Sequence, residues 1–289
     1  MVTARVVEHD PETRTYSLPR EHAAWLTRAA GINNIAVQTQ YIPLLAEVEQ
    51  KIVECFRKSG GVPYSEYPRF QRLMAEDSAN VHDATLLNAI IPLVPALTQR
   101  LRDGIDVADI GCGSGRAINL MAKAFPNSRY SGFDFSNQGI AQARAEAGAL
   151  GVSNATFEVR DVTNLGITDA FDLVTAFDAI HDQAKPASVL RGIAEALRED
   201  GVFLMVDIAA SSHVHENMDH PLGTFLYTVS TMHCMTVSLA LNGEGLGTMW
   251  GEQKAREMLA EAGFGQIDVA RVEGDIFNVY YVARKGGAG

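Results

Sequence analysis

Strands and helices alternate along the chain from residue 105 onward, and this pattern constrains the fold more than any other feature of the sequence. Seven β-rich segments are predicted as strands, at residues 105–110, 128–134, 155–160, 171–177, 202–208, 266–271 and 276–284. Helical periodicity lies between most of them, at about residues 115–125, 137–150, 186–198 and 251–262. Strands connected through helices form a parallel sheet with helices on both faces, so we predict an α/β domain with a seven-stranded, mostly parallel sheet. Because no helix separates the last two strands, one of them is expected to run antiparallel at the edge of the sheet.

The first hundred residues have a different pattern. β-rich segments on both sides of Asp10-Pro11-Glu12-Thr13 predict a hairpin within residues 5–18. Helical patterns follow at residues 19–30, 38–58, 67–75 and 83–102, the last interrupted or kinked by Pro92 and Pro95. We therefore predict two domains. The first is an N-terminal hairpin and helical cap at residues 1–82, and the second, at residues 83–289, carries an inserted lid at residues 210–250.

Composition and charge narrow the choice of partners. The 289 residues carry a net charge of −11, and residues 101–289 hold nearly all of it. A polyanion would be repelled by that part of the chain, so nucleic acid is not expected as a partner and a small neutral or cationic molecule fits better. The sequence has neither a long apolar run nor a signal-peptide pattern, so no membrane partner is expected. Cys55, Cys112 and Cys234 are far apart in sequence, which is typical of reduced thiols in a cytoplasmic protein.

A glycine-rich turn, Asp109-Ile110-Gly111-Cys112-Gly113-Ser114-Gly115, follows the first of the seven strands and precedes a helix. Glycines let the backbone turn sharply and approach a ligand without a Cβ in the way. The spacing is G-x-G-x-G, whereas the dinucleotide fingerprint requires glycine or alanine where this chain has Arg116. The acidic residue two positions before the first glycine also fits a positively charged cofactor better than a pyrophosphate. The alternative interpretation is a plain strand-to-helix turn that binds nothing.

Two aspartates end the next two strands. Asp134 lies about 20 residues beyond the glycines, where a carboxylate can accept hydrogen bonds from both hydroxyls of a ribose. Asp161 ends the third strand, where a carboxylate can accept a hydrogen bond from the amino group of adenine. Ser136, next to this site, is also expected to cap the following helix.

These motifs resemble the class I S-adenosylmethionine-dependent methyltransferases over roughly residues 80–285. The resemblance implies a Rossmann-like domain with S-adenosylmethionine as cofactor. It places the methionine moiety on Gly111 to Gly115, the ribose on Asp134, the adenine face on Phe135 and the adenine edge on Asp161 with Val162. The full set of predicted cofactor-binding residues is Asp109, Gly111, Gly113, Gly115, Asp134, Phe135, Asp161, Val162, Phe177 and Asp178.

A narrower resemblance concerns the winged-helix methyltransferases. Phe177-Asp178-Ala179-Ile180-His181-Asp182 is similar to the fourth-strand motif of winged-helix O-methyltransferases, in which a His-Asp pair follows that strand. Residues 226–235 and 245–251 are similar to a bacterial methyltransferase family that carries a winged-helix region at its N-terminus. The hairpin at residues 5–18 then corresponds to the wing, and the helix-turn-helix that should precede it is expected to be absent, which argues against a DNA-binding role. The cap resembles the dimerising region of these enzymes, which implies a homodimer through the N-terminal helices.

Three residues are candidates for acid–base chemistry. A histidine can take a proton near neutral pH, and His181 follows the strand whose end is expected to lie beside the transferred methyl group. The resemblance also places the general base at His181, although proximity alone can suffice and His181 would then only pack near the cofactor. Asp182 is a candidate for orienting the imidazole. His233 is a second candidate base, with a buried, hydrogen-bonded histidine as the alternative.

Two features of the lid have simple alternatives. Its aromatic and methionine residues suit an apolar or planar ligand, but they could equally pack against the N-terminal helices. The cluster of His213, His215, Glu216 and His220 superficially resembles a metal site. Its short spacing falls on a predicted loop rather than on one helix face, so no metal is predicted.

The sequence therefore predicts methyl transfer from S-adenosylmethionine to a small-molecule acceptor, with oxygen favoured because of His181. One alternative is a regulator that binds S-adenosylmethionine with little or no catalysis. Another is a nicotinamide-dependent oxidoreductase on a similar sheet.

Overall fold

Two short strands near the N-terminus form the predicted hairpin. The computed structural model describes residues 1–286, without the side chains of residues 32 and 33. Strand β1 (Glu8–Asp10) pairs antiparallel with β2 (Thr15–Ser17). The Asp10 carboxylate stabilises the turn between them, because it accepts hydrogen bonds from the Glu12 N–H and the Thr13 hydroxyl.

The helical cap consists of short helices that differ in their bounds from the predicted ones. They are α1 (Arg20–Leu26), α2 (Tyr41–Ala46), α3 (Glu49–Lys58) and α4 (Phe70–Thr85). The single helix predicted at residues 38–58 is wrong, since a 3-10 turn at Gln38–Gln40 precedes α2 and a break at Val48 precedes α3. Pro43 fits this arrangement because it lies in the first turn of α2, where its missing N–H removes no helical hydrogen bond.

Helix α4 joins the cap to the larger domain. The segments predicted at residues 67–75 and 83–102 meet in this helix, which runs on through a π-helical turn at Leu86–Ile90 and a 3-10 turn at Ile91–Leu93. Helix α5 (Leu97–Asp103) follows the Pro95 kink. The boundary predicted at 82/83 thus falls inside α4, so the two predicted domains share one helix.

Seven further strands form one twisted sheet, and each predicted strand is present. They are β3 (Asp106–Ile110), β4 (Arg129–Asp134), β5 (Ala155–Val159), β6 (Phe171–Phe177), β7 (Leu197–Ile208), β8 (Phe264–Ala270) and β9 (Asn278–Lys285). Their order is β5-β4-β3-β6-β7-β9-β8, and only β9 runs against the others. The expectation of an antiparallel edge strand was wrong in position, because β9 inserts between β7 and β8 and leaves β8 at the edge.

Helices cover both faces of the sheet, as the apolar strand patterns require. Side chains alternate across the sheet, so Leu173 packs into the core on one face while Val174 packs into the core on the other. Helices α6 (Arg116–Ala124) and α7 (Asn137–Leu150) cover the first face together with the end of α4, and α8 (Pro186–Ala196) and α11 (Gly251–Glu261) cover the second. The predicted α/β fold class is confirmed.

The lid packs against the cap and forms a third core with it. The lid contains α9 (Gly223–Val229), a π-helical turn at Ser230–Cys234 and α10 (Met235–Ala240). Leu44 and Val48 of the cap are buried together with Val237 of the lid. A Cβ on Gly61 would lie 2.0 Å from the Thr236 carbonyl oxygen, so cap and lid backbones are in direct contact. Packing against the N-terminal helices therefore accounts for part of the apolar character of the lid.

No single helix among residues 1–286 is long and apolar enough to cross a membrane, and one sharply bent pair, Phe70–Leu93 with Leu97–Asp103, meets that test by length and composition only.

Candidate active site

A cavity of about 470 Å³ lies between the sheet, the cap and the lid, where β3, β4 and β6 end. Ligands of open α/β sheets bind at this edge, and the volume is within the range of small-molecule pockets. All three parts of the structure contribute to its wall. The wall includes Gly113, Asp134, Phe177 and His181 of the sheet domain, Asn34, Tyr64, Asp77 and His82 of the cap and its junction, and Phe225, His233 and Thr248 of the lid.

The glycine turn leaves room for a ligand at one of its three glycines. Gly111, Gly113 and Gly115 all have positive φ angles, of 73°, 52° and 73°. A Cβ on Gly111 would lie 2.5 Å from the Ala179 Cβ, and one on Gly115 would lie 2.6 Å from the Ala143 Cβ. A Cβ on Gly113 would have no protein atom within 4 Å, and Gly113 lines the cavity. Packing thus explains Gly111 and Gly115, whereas Gly113 borders open space.

Asp134 fixes the turn against the end of β4. Its carboxylate accepts hydrogen bonds from the Gly113 N–H at 2.8 Å and from the Ser136 N–H at 2.7 Å. Burial raises the pKa of Asp134, while the two N–H donors oppose that rise. Ser136 also caps α7, as predicted, by accepting from the Gly139 N–H at 3.1 Å. Phe135 is half-exposed on the cavity wall, with its ring 5.0 Å from the Tyr64 ring.

Two other residues predicted to bind the cofactor, Asp109 and Asp161, differ in their position relative to the cavity. Asp109 is buried beneath the turn, where the Thr175 hydroxyl donates to it at 2.7 Å and burial raises its pKa to about 7. Asp161 is exposed and lies outside the cavity wall, where it caps the 3-10 turn Val162–Asn164 by accepting from the Thr163 N–H. Val162, next to it, is buried on the cavity wall. The structure therefore brings Asp109 and Val162 to the site but not Asp161.

His181 lies in a cluster of carboxylates. Its Nδ1 is 2.8 Å from Asp207 Oδ1, and its Nε2 is 3.3 Å from both Asp182 Oδ1 and the Thr248 hydroxyl. Burial alone would lower the pKa of His181, but Asp207 and Asp182 outweigh it and hold that pKa well above the usual range. Tyr64 of the cap donates its hydroxyl to the other oxygen of Asp182 at 2.8 Å.

Asp207 was missed at the sequence level. It is a completely buried carboxylate near the end of β7, and its Oδ2 has no hydrogen-bond partner among the described residues. The signal was a single aspartate in the apolar run Val202-Phe203-Leu204-Met205-Val206-Asp207-Ile208. Because β6 and β7 are adjacent, the loop that carries His181 lies beside Asp207.

Phe177 and Asp178 follow on the same wall. The Phe177 ring contacts the buried His82 ring edge to face at 4.7 Å, and both line the cavity. Asp178 has a positive φ of 50° and an accessible surface on the cavity. Its position deep in the protein raises its pKa to about 8, with Asp207 adding to the effect.

His233 is enclosed by aromatic rings. It is 0% exposed and stacks on Phe70 at 3.8 Å, with Tyr64 and Tyr67 edge-on at 5.2 and 4.8 Å. Neither ring nitrogen has a hydrogen-bond partner among the described residues, so the hydrogen-bonded alternative does not apply. Burial lowers the pKa of His233 to about 4, which leaves the ring neutral.

The histidines of residues 213–220 do not converge on a metal site. His213 and His215 are exposed with stacked rings 5.8 Å apart, and His220 hydrogen-bonds the Ala209 carbonyl. Among residues 1–286, ligand atoms of His181, Asp182 and Cys234 do lie within 4.8 Å of one another. Burial raises the pKa of the Cys234 thiol to about 11, which disfavours the thiolate that a metal would require. The absence of a metal stays a prediction.

Comparison with known families decides between the candidate folds and cofactors. Residues 101–263 match the family described as "Methyltransferase domain". The chain belongs to this methyltransferase family. Its larger domain is therefore an S-adenosylmethionine-dependent methyltransferase domain, as the sequence predicted, and the nicotinamide alternative is set aside.

The N-terminal residues match a second family. Residues 1–28 match the "Rv2258c-like winged HTH domain", which contradicts the expectation that the helix-turn-helix part is absent. In the structure these residues contain the β1–β2 hairpin and α1. The interpretation of the hairpin as the wing stays a prediction.

Relatives and solved structures give the same fold. The malonyl-[acyl-carrier protein] O-methyltransferase of Bacillus cereus is 26% identical over 145 residues, which are 50% of this chain and 47% of the relative. The chain spans about half the length of the first curated relatives it matches. The structure of mitomycin 7-O-methyltransferase has a TM-score of 0.71 at 15% identity, covering 98% of this chain and 80% of that one. Human N-acetylserotonin methyltransferase in complex with S-adenosylmethionine has a TM-score of 0.63 at 16% identity, covering 99% and 81%.

Proposed function

We propose that this chain transfers a methyl group from S-adenosylmethionine to the oxygen of a small-molecule acceptor, with His181 as general base. One observation carries the proposal: a single cavity connects the Gly113–Asp134 cradle to the His181 cluster, with the cap and the lid over it. A methyl donor in the cradle and an acceptor under the lid would thus share one enclosed space, which favours transfer through proximity.

The residues around the cradle fit S-adenosylmethionine. Open space at Gly113 admits a ligand against the backbone, and Asp134 stands where its carboxylate can accept hydrogen bonds from the ribose hydroxyls. Phe135 offers a half-exposed ring for adenine. A cationic donor would lower the raised pKa values of Asp109 and Asp178 and be attracted by the carboxylates that then ionise. When bound, the cofactor supplies an electrophilic methyl group on a positively charged sulfur.

His181 is the residue assigned to remove the proton of the acceptor hydroxyl. Asp207 accepts the hydrogen bond of Nδ1–H, so Nε2 is the nitrogen that takes the proton once the ring is neutral. Because the pKa of His181 is raised, the ring becomes neutral, and able to act as a base, only above the usual titration range of histidine. The same carboxylate stabilises the imidazolium that results, as the orienting acid of a catalytic triad does. Asp182, held by Tyr64, approaches Nε2 and completes the orientation of the ring. His233 stays a second candidate, but its lowered pKa makes it a weaker base.

Replacing His181 tests the assignment. Wild-type protein and His181→Gln are incubated with methyl-labelled S-adenosylmethionine and a metabolite extract, and labelled small molecules are identified. We expect the variant to lose at least about tenfold in turnover, because general-base catalysis usually contributes more than that. His213→Gln, an exposed histidine outside the cavity, is the matched control and should keep its turnover. Full turnover in His181→Gln would remove His181 from the mechanism.

The winged-helix match at residues 1–28 favours one alternative, a regulator that binds S-adenosylmethionine with little or no catalysis. The net charge of −11 opposes contact with a polyanion. Gel-shift binding to genomic DNA fragments without labelled product from the extract would support the regulator, and labelled product would support the enzyme.

We also propose that the cap forms a homodimer in the cytoplasm. Ile42 and Phe56 of α2 and α3 are 73% and 77% exposed, and large apolar side chains on neighbouring helices are typical of an interface. Light scattering of Phe56→Asp against Val214→Asp, an exposed valine of the lid, tests this surface. A dimer that survives Phe56→Asp would place the interface elsewhere.

A further inference from the structure

The wall of the cavity is strongly acidic. Six aspartates line it: Asp77, Asp109, Asp134, Asp178, Asp182 and Asp275. Arg116 is the one lysine or arginine among the described lining residues, and its guanidinium is engaged by Asp83 and Glu146. His181 is the histidine of this wall whose pKa is raised, and Asp182 and Asp207 surround it. A ligand of this cavity therefore meets carboxylates without free protein cations.

Asp77 differs from the other five because it belongs to the cap and not to the sheet domain. It lies on α4, and the hydrogen bond to its carboxylate comes from the Gln38 side-chain amide at 3.1 Å. No lysine, arginine or histidine of the described residues forms an ion pair with it. Burial raises the pKa of Asp77 to about 6, as expected for a carboxylate without a counter-charge.

An acceptor without a donor in the described part of the chain, the Asn34 side-chain oxygen, lines the same cavity. Asn34 is 6% exposed, lines the cavity and has an amide oxygen with no hydrogen-bond partner among the described residues. It precedes Gln38, the partner of Asp77, by one turn of chain. A buried polar atom without a partner is costly, so the Asn34 oxygen, together with a carboxylate that lacks a counter-charge among the described residues, indicates a ligand that is cationic and donates hydrogen bonds. Trp25 and Tyr41 line the same cavity, and aromatic rings can bind cations.

We propose that Asp77, together with Asn34, binds a protonated amine of the acceptor, so that the substrates are small hydroxylated molecules carrying a cationic amine. The assignment of the acceptor role rests on the proposed function. The aspartates of the sheet domain are assigned to the cofactor and to His181, while Asp77 of the cap binds the positive charge of the acceptor. Asp77 is thus a specificity-determining residue at the cap side of the cavity.

Matched probes measure this preference directly. Protein loaded with S-adenosylhomocysteine is titrated by calorimetry to measure the dissociation constant of each probe. Tyramine is compared with 4-ethylphenol, and dopamine is compared with 4-ethylcatechol, because the members of each pair differ by the amine. In at least one pair we expect the amine to bind at least about tenfold more tightly, which corresponds to about 1.4 kcal/mol. Asp77→Asn should reduce that preference to less than about threefold, and Asn34→Ala should reduce it in the same direction. Glu76→Gln is the control, because Glu76 precedes Asp77 on α4 but pairs with Arg28 outside the cavity wall.

Three results would overturn the proposal. They are the lack of an amine preference in every pair, a preference that survives Asp77→Asn, and a fall in the affinity of Asp77→Asn for S-adenosylhomocysteine, which would make Asp77 a cofactor residue. An amine preference without methylation of these probes would count against the proposed oxygen methylation and would leave the role of Asp77 supported.

Discussion

Alanine substitutions at two glycines of the same turn should have different consequences, one mainly for stability and the other mainly for ligand binding. Gly113 and Gly115 both have positive φ, so alanine at either position strains the backbone by roughly 1–2 kcal/mol. At Gly115 the added methyl would also lie 2.6 Å from the Ala143 Cβ and 2.7 Å from the Phe157 ring. At Gly113 it would meet no protein atom within 4 Å but would stand at the cavity.

The magnitudes separate the two variants. Overpacking adds roughly 1–3 kcal/mol to the strain, so Gly115→Ala should lose about 2–5 kcal/mol of unfolding free energy. Gly113→Ala should lose only about 1–2 kcal/mol of unfolding free energy, which is the cost of the backbone strain. It should nevertheless weaken the binding of S-adenosylhomocysteine at least about tenfold, because the added methyl occupies the space of the ligand. Gly148→Ala, on α7 with nothing within 4 Å, should be neutral or slightly stabilising.

Urea denaturation gives the unfolding free energies, and calorimetry gives the affinity for S-adenosylhomocysteine. The reasoning is refuted if Gly113→Ala binds the ligand as tightly as wild type, since the space at Gly113 would then not belong to the cofactor. Equal destabilisation of Gly113→Ala and Gly115→Ala would show that the packing around the turn differs from the structure.

Three further predictions concern the buried acids and histidines. Asp134→Ala should weaken the binding of S-adenosylhomocysteine at least about tenfold, as measured by calorimetry. The substitution removes the carboxylate that accepts from the Gly113 N–H and that would also accept from the ligand, and an unchanged affinity would contradict this prediction. Asp207→Asn should lower the pKa of His181 and so move the acid limb of the pH–rate profile to lower pH, and an unmoved limb would separate His181 from the reaction. The pKa of His233 is about 4 in the folded protein, against an ordinary value of 6.5 in the unfolded chain. The unfolded chain therefore binds a proton at His233 more readily as pH falls below 6.5, and the folded protein loses stability. Going from pH 7.5 to pH 5, His233→Phe should therefore gain about 2 kcal/mol relative to wild type in urea denaturation, and no relative gain would contradict a neutral buried ring.

The central strands of the sheet, such as β6 and β7, were predictable because a buried strand leaves a short apolar run in the sequence. The order of the strands in the sheet was only partly predictable from the sequence. Insertion of β9 between β7 and β8 depends on pairings such as Val206 with Tyr280, which are distant in sequence and leave no local signal. The break of the predicted helix at residues 38–58 likewise follows from packing of the cap against the lid.

The cofactor half of the site was more predictable than the acceptor half. Gly113 and Asp134 lie on consecutive strand ends, so their spacing along the chain encodes their proximity. Asp161 followed the same rule but turned out to cap its own short helical turn. The contact of His181 with Asp207 joins the ends of two strands, and it becomes visible only once the strand order is known.

The residues on the acceptor side of the cavity could not be predicted from local sequence patterns, for a different reason. Asp77 and Asn34 are separated by most of the cap, and their common wall exists only after α4 packs beside the sheet domain. Nothing in the sequence distinguishes Asp77 from an exposed acid of an amphipathic helix.

The central claim is that the cradle between Gly113 and Asp134 binds S-adenosylmethionine, and thermal unfolding with two ligands tests it most directly. At a concentration one hundred times its dissociation constant for wild type, S-adenosylhomocysteine should add about 2.7 kcal/mol of stability to wild type and raise its melting temperature. Asp134→Ala, which is expected to bind at least about tenfold more weakly, should gain at most about 1.4 kcal/mol at the same concentration and show a correspondingly smaller rise. NAD should leave both melting temperatures unchanged. Stabilisation of wild type by NAD and not by S-adenosylhomocysteine would contradict the claim.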